Sequence, residues 1–174
     1  MCIRKRWNII SLALVLLLTM TGCGAEKTGN VQHEISNVIG IDISDGEVIS
    51  ESDSHGGFHG DGSTVIVIQF ADTSCSDQIA KNGEWNTLPL TDNLTALVYG
   101  IHAENSSVGP MIHGGDGIPV VPEIENGYYY FLDRHSQSTD PKDDSGVLDR
   151  ASYNFTIAIY DADTQMLYYL ELDT

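Results

Sequence analysis

The sequence predicts an α+β fold: a single antiparallel β-sheet of about five to six strands with two short helices packed on one face. Three observations lead there. Segments rich in β-branched and aromatic residues lie on either side of a central region, at 64–70 and again between 127 and 171. Two short stretches with helical start and stop signals lie between them, at 73–83 and 91–100. The last two strand-like segments are separated only by the turn Asp161–Gln165, and so short a connection joins antiparallel neighbours.

Ile39, Ile41 and Ile43 alternate with Gly40, Asp42 and Ser44, which predicts a first strand; Asp45-Gly46 predicts a hairpin turn into a second at 47–52. Thr64-Val-Ile-Val-Ile-Gln-Phe70 is apolar on both faces, the pattern of a strand covered from both sides. Thr73-Ser74 followed by Asp77 predicts a helix start, and Asn82-Gly83 its end. Thr91-Asp92 predicts a second start, and Leu90, Leu94, Leu97 and Val98 form one apolar stripe that ends at Gly100. Trp85 and Leu88 are expected to pin these helices to the sheet. Residues 101–126 are rich in Gly and Pro without a period, and a loop of that length inside a compact domain is expected to be functional or mobile. Strands at 127–133, 153–160 and 166–171 complete the sheet, with Phe155, Ile157 and Ile159 on one face. The aromatic residues at 128–131 and 168–169 could line a groove for sugar or peptide, but tyrosines on alternate strand positions more often pack on their own sheet.

The first residues carry a different signal. Met1-Cys-Ile-Arg-Lys-Arg6 is basic, and an apolar run over 9–20 leads to Thr21-Gly22-Cys23. A basic start, about a dozen apolar residues and small residues before a cut point form the layout of a secretory signal, and the run is shorter than the roughly 20 residues of a membrane span. Met20-Thr-Gly-Cys23 resembles the lipobox of bacterial lipoproteins of Gram-positive type. The resemblance implies cleavage before Cys23 and a diacylglyceryl group on its thiol, with residues 1–22 as signal peptide. The acyl chains would hold the protein on the extracytoplasmic face of the cell membrane. Residues 23–37, polar and without a recognised period, are expected to be the lipidated cysteine and a flexible tether, and 38–174 a single globular domain. Beyond the signal, the chain resembles only small lipoproteins of no assigned function.

Composition limits the partners. The basic residues after Cys23 are Lys27, Lys81, Arg134, Lys142 and Arg150, against all 25 acidic ones, a net charge of −20. Such a domain repels nucleic acid and anionic headgroups, and suits cationic peptides, polymers or protein partners. A monomer is expected. With Cys2 in the signal and Cys23 lipidated, Cys75 is left without a disulfide partner.

Four groups of residues could carry chemistry. Asp53-Ser-His55-Gly-Gly-Phe-His59-Gly-Asp61-Gly62 is echoed by His113-Gly-Gly-Asp116-Gly117. Imidazoles and carboxylates at flexible spacing are what Zn²⁺ or Ni²⁺ accepts, so His55, His59, Asp61, His113 and Asp116, with Asp53, are candidate metal ligands if the two loops meet; otherwise they are turns. Asp140, Asp143 and Asp144 form an acidic loop that could hold Ca²⁺, though not with the spacing of an EF-hand. Cys75, near a helix start, is a candidate thiol nucleophile. His33-Glu34 lacks the second histidine of a zinc-protease helix. No G-x-S-x-G elbow, S-x-x-K pair or phosphate-binding G-x-x-x-x-G-K is present. The reading that results is a membrane-anchored lipoprotein with a non-catalytic binding role, the alternative being a metal-dependent or thiol hydrolase.

Overall fold

The computed structural model describes residues 25–56, 60–103 and 106–174. Its elements in chain order are α1 (Ala25–Ile39), β1 (Glu47–Asp53), β2 (Gly62–Gln69), α2 (Ser74–Ile79), β3 (Asn86–Thr87), α3 (Asp92–Val98), β4 (Ile101–Ala103), β5 (Ser106–Val108), β6 (Gly127–Asp133), a 3₁₀ turn (Val147–Asp149), β7 (Asn154–Asp161) and β8 (Met166–Asp173). Six strands form one antiparallel sheet in the order β1-β2-β8-β7-β6-β3, and β4 and β5 form a separate small hairpin. The α+β class and the single large antiparallel sheet are those the sequence predicts.

The centre of the sheet is the β7–β8 hairpin, paired in unbroken register from Asn154↔Asp173 to Asp161↔Met166. Phe155 through Tyr160 are all buried, so both faces of β7 are covered. Alternation then divides the apolar residues into two cores. Ile157, Ile159, Tyr129, Phe131, Tyr168 and Leu170 belong to one, closed by Leu94, Leu97 and Val98 of α3 and by Ile112, Val121 and Val147. Ala158, Tyr160, Tyr130, Leu167, Tyr169, Ile66 and Ile68 belong to the other, closed by Ile35 and Ile39 of α1, Ile41, Ile43, Cys75 and Ile79 of α2, and Trp85. The two short helices therefore lie on opposite faces of the sheet rather than together on one. Both need cover, and each helix is too short to supply more than a patch of it. The tyrosines pack on the sheet: Tyr129, Tyr130, Tyr168 and Tyr169 are all buried.

The segment expected to be a tether is the larger correction. Residues 25–39 form α1. Val31, Ile35, Val38 and Ile39 recur at helical spacing and meet the sheet, with Ile39 fully buried. Three side chains take up carbonyls that the helix end leaves open: Tyr130 Oη donates to Val38 O at 2.7 Å, Trp85 Nε1 to Ile39 O at 2.9 Å and Asn82 Nδ2 to Gly40 O at 2.8 Å. Gly40, at φ +71°, ends the helix and donates its N–H to Ser36 O. The following residues are not a strand. Ile41 and Ile43 are buried as their alternation suggests, but the chain loops, clamped to α1 by Gln32 Nε2, which donates to Ile43 O at 2.9 Å and Gly46 O at 2.8 Å. The period of two reports which side chains point inward, and here a loop satisfies it as well as a strand would.

The edge strand β1 is exposed along nearly its whole length, shifts register between Val48 and Ser50, and carries Glu47, Glu51 and Asp53. A bulge and repelling charges both discourage pairing with another chain. Within the long loop Ile112 and Val121 are buried, so the loop serves as a wall of the core that α3 closes. Gly127 is required where β6 begins: a Cβ there would lie 1.9 Å from Tyr160 O.

Replacing Ile39 by Ala should cost about 2–5 kcal/mol in denaturant unfolding, the range for truncating a buried aliphatic side chain. A loss below about 0.5 kcal/mol, the size of a surface effect, would show that α1 does not belong to the core.

Candidate functional site: an acidic cleft between α1 and the sheet

At one end of the sheet the face beneath α1 turns polar. Thr64 on β2, Thr156 on β7, and Glu171 and Asp173 on β8 continue the rows that Ile66, Ala158 and Tyr169 occupy deeper in the core. Here α1 and the sheet enclose a cleft of about 300 Å³. Its apolar wall is made by Val31, Ile35 and Val38 of α1 with Ile66 and Tyr169 of the sheet. Thr64 and four carboxylates, Glu34, Glu51, Asp53 and Glu171, complete the lining.

A polar network fixes the sheet side of this cleft. Arg134, just past β6, grips Asp173 with both terminal nitrogens, at 2.9 and 3.2 Å, and reaches Thr156 Oγ1 and Phe155 O at 3.1 Å. Such a two-pronged pair fixes orientation as well as charge. Asn154 Nδ2 donates to Asp173 at 2.9 Å. Glu171 Oε1 accepts from Tyr169 Oη at 2.7 Å and from Thr156 Oγ1 at 3.1 Å. Burial pushes the Asp173 carboxyl up, but the hydrogen bonds from Arg134 and Asn154 together with the Arg134 charge outweigh it, and it lies below the usual carboxylate range. Burial, with Glu171 beside it, pushes the Tyr169 hydroxyl well up, so it remains a donor.

His55 joins this network. Its Nδ1 lies 2.7 Å from Asp53 Oδ1 and its Nε2 3.3 Å from Asp173 Oδ2, so it bridges β1 to the last strand. The Asp53 hydrogen bond raises its pKa above the ordinary value, against a smaller opposing effect of burial. Gly62 is what lets the loop close here, since a Cβ would meet the His55 backbone at 2.7 Å.

The other residues singled out in the sequence lie elsewhere or in other roles. His113 and Asp116 close their own turn: His113 Nδ1 contacts Gly114 O at 2.8 Å, Asp116 Oδ1 accepts from Ile118 N, and Gly117 N donates to Gly114 O. Asp61 is exposed, and His59 lies outside the described residues. Among the described residues no three of His, Cys, Asp and Glu come together as a metal ion would require. Asp140, Asp143 and Asp144 are spent on separate turns and caps: Asp140 accepts from Lys142 N, Asp143 from Ser145 N and Oγ, and Asp144 from Thr91 Oγ1. That last bond ties the loop to the start of α3. Cys75 is fully buried in the core under α1, and burial pushes its thiol up to about 12, so it is protonated at neutral pH and unsuited to attack.

Two features escaped the sequence reading. The buried carboxylate of Asp133 meets Arg150 at 2.6 Å and organises the acidic loop between β6 and β7. The cleft itself depends on α1, and the spacing Val31, Ile35, Val38, Ile39 was the signal for it. Comparison with protein-family models, with curated proteins and with solved structures finds no match for the chain.

The raised pKa of His55 sets a pH dependence. A group with a higher pKa in the folded state lends its full stabilisation below its unfolded value, about 6.5, and loses it as pH rises through the folded value. Replacing His55 by Gln should therefore destabilise the protein more on the acid side of pH 6.5 than on the alkaline side, as read from denaturant midpoints of both proteins. An equal loss at every pH would contradict the ion-paired geometry.

Proposed function

We propose that the protein is a lipid-anchored, extracytoplasmic binding module of a bacterial cell surface, and that the cleft beneath α1 is its ligand site. The observation that carries the binding role is the cleft: a preformed concavity, part apolar and part charged, on a rigid sheet. Its groups are suited to holding a ligand rather than to breaking a bond. The carboxylates, hydroxyls and apolar wall offer recognition, while the one sulfur nucleophile of the described residues is buried away from it. The anchoring half of the proposal rests on the sequence, where the basic start, the apolar run and Met20-Thr-Gly-Cys23 follow in order. Among the described residues no helix is long and apolar enough to cross a membrane. Two or three acyl chains would suffice without one, because each buried methylene contributes about 0.8 kcal/mol.

The full chain expressed in a Gram-positive host should incorporate labelled palmitate and sediment with membranes. Its Cys23→Ala variant should take up no label and leave the membrane-lipid pool. An unlabelled wild-type chain, or a labelled Cys23→Ala chain, would overturn the anchoring.

A further inference from the structure

The lining of the cleft specifies what it takes. We infer that it binds an organic cation: an ammonium group carried on a short apolar chain. This rests on the reading of the cleft as the ligand site and names the chemistry of the ligand.

Three features of the cleft lead there. First, the apolar wall comes from two different elements, Ile35 and Val38 on α1 and Ile66 and Tyr169 on the sheet, so a hydrocarbon segment entering between them is covered on both sides. Second, the carboxylates come from three different elements, α1, β1 and β8, so a bound cation meets negative charge from several directions. Among the described residues Glu51 forms no ion pair with a lysine or arginine; Glu171 shares Arg134 with Asp173, at 3.9 Å, and Asp53 pairs with His55, so the carboxylates around the cleft still outnumber the cations beside them. Third, the carboxylates are spread around the cleft and not gathered: among the described residues no three acidic, His or Cys side chains converge to hold a metal ion. Carboxylates from three elements beside an apolar wall match a charge that is bulky and attached to carbon, as in an alkylammonium, a polyamine or a lysine side chain. An anionic ligand would be repelled by the excess of carboxylates, and a small neutral polar one would leave the apolar wall unfilled.

The test uses the full chain in detergent micelles, labelled with ¹⁵N and titrated with n-butylammonium, its neutral isostere n-butanol, spermidine and trilysine. Butylammonium should shift the amides around Ile35, Glu51, Ile66 and Tyr169 saturably, and n-butanol should not. Added salt should weaken the binding. Glu51→Gln, on an exposed strand position, should weaken it about three-fold, the effect of one partly screened charge pair, while Glu47→Gln, outside the cleft, leaves it unchanged. Tighter binding of spermidine than of trilysine would support the cation class and assign the source to free polyamines; the reverse would support it and assign a basic peptide. Equal shifts with n-butanol, or no effect of Glu51→Gln, would overturn the cation class and leave the cleft a ligand site. If no probe shifts the cleft residues, both readings fall.

Discussion

The structure depends on one constraint, that its central strands are apolar on both faces. Phe155 to Tyr160 on β7 are buried without a break, and β8 repeats the pattern from Leu167 to Leu170. A sheet of this kind gains about 1.5–3 kcal/mol for each large side chain removed from water, but only if both sides are covered. A chain of this length has few elements to spend. One face takes α3, the long loop and the 3₁₀ turn; the other takes α1, the loop after it and α2. The N-terminal segment cannot stay a free tether without uncovering half the core.

That requirement also makes the cleft. The rows beneath α1 are apolar in the middle of the sheet and polar at its end, where Thr64, Thr156, Glu171 and Asp173 follow Ile66, Ala158 and Tyr169. α1 packs its Ile35 and Ile39 on the first, and Val31, Glu34 and Val38 line the cleft over the second. Arg134, Asn154 and His55 then fix the carboxylates of the polar end. Covering one face of the sheet and shaping a concave, charged site are therefore the same structural event.

Much of the fold was legible in the sequence because the strands are strongly patterned. The boundaries of β6 match the residues expected, β7 and β8 are the expected hairpin, and Thr91 caps α3 with its hydroxyl accepting from Leu94 N. What stayed hidden had physical reasons. Val31 and Ile35 fell among polar residues, and Val38 and Ile39 were grouped with the isoleucines that follow, so a helical stripe was split between a tether and a strand. The face a short helix covers is decided by pairing between distant strands, which local pattern does not carry, so α2 and α3 were set on one side. The site was less legible than the fold. His55 was singled out for the company of His59 and His113, while its described partners are Asp53, Thr64 and Asp173, the last 118 residues away. Glu171 and Arg134 carry no motif at all; only the sheet brings them together.

Native-state hydrogen exchange tests most directly whether α1 is part of the cooperative core. The amides of Ile35 to Ile39 should exchange with an opening free energy close to that of Ile157 and Ala158 at the centre of β7, as one unit that opens together. Exchange of the α1 amides at a small fraction of that free energy, with β7 still fully protected, would show a helix that comes and goes over a sheet stable without it, and would contradict the dependence described here.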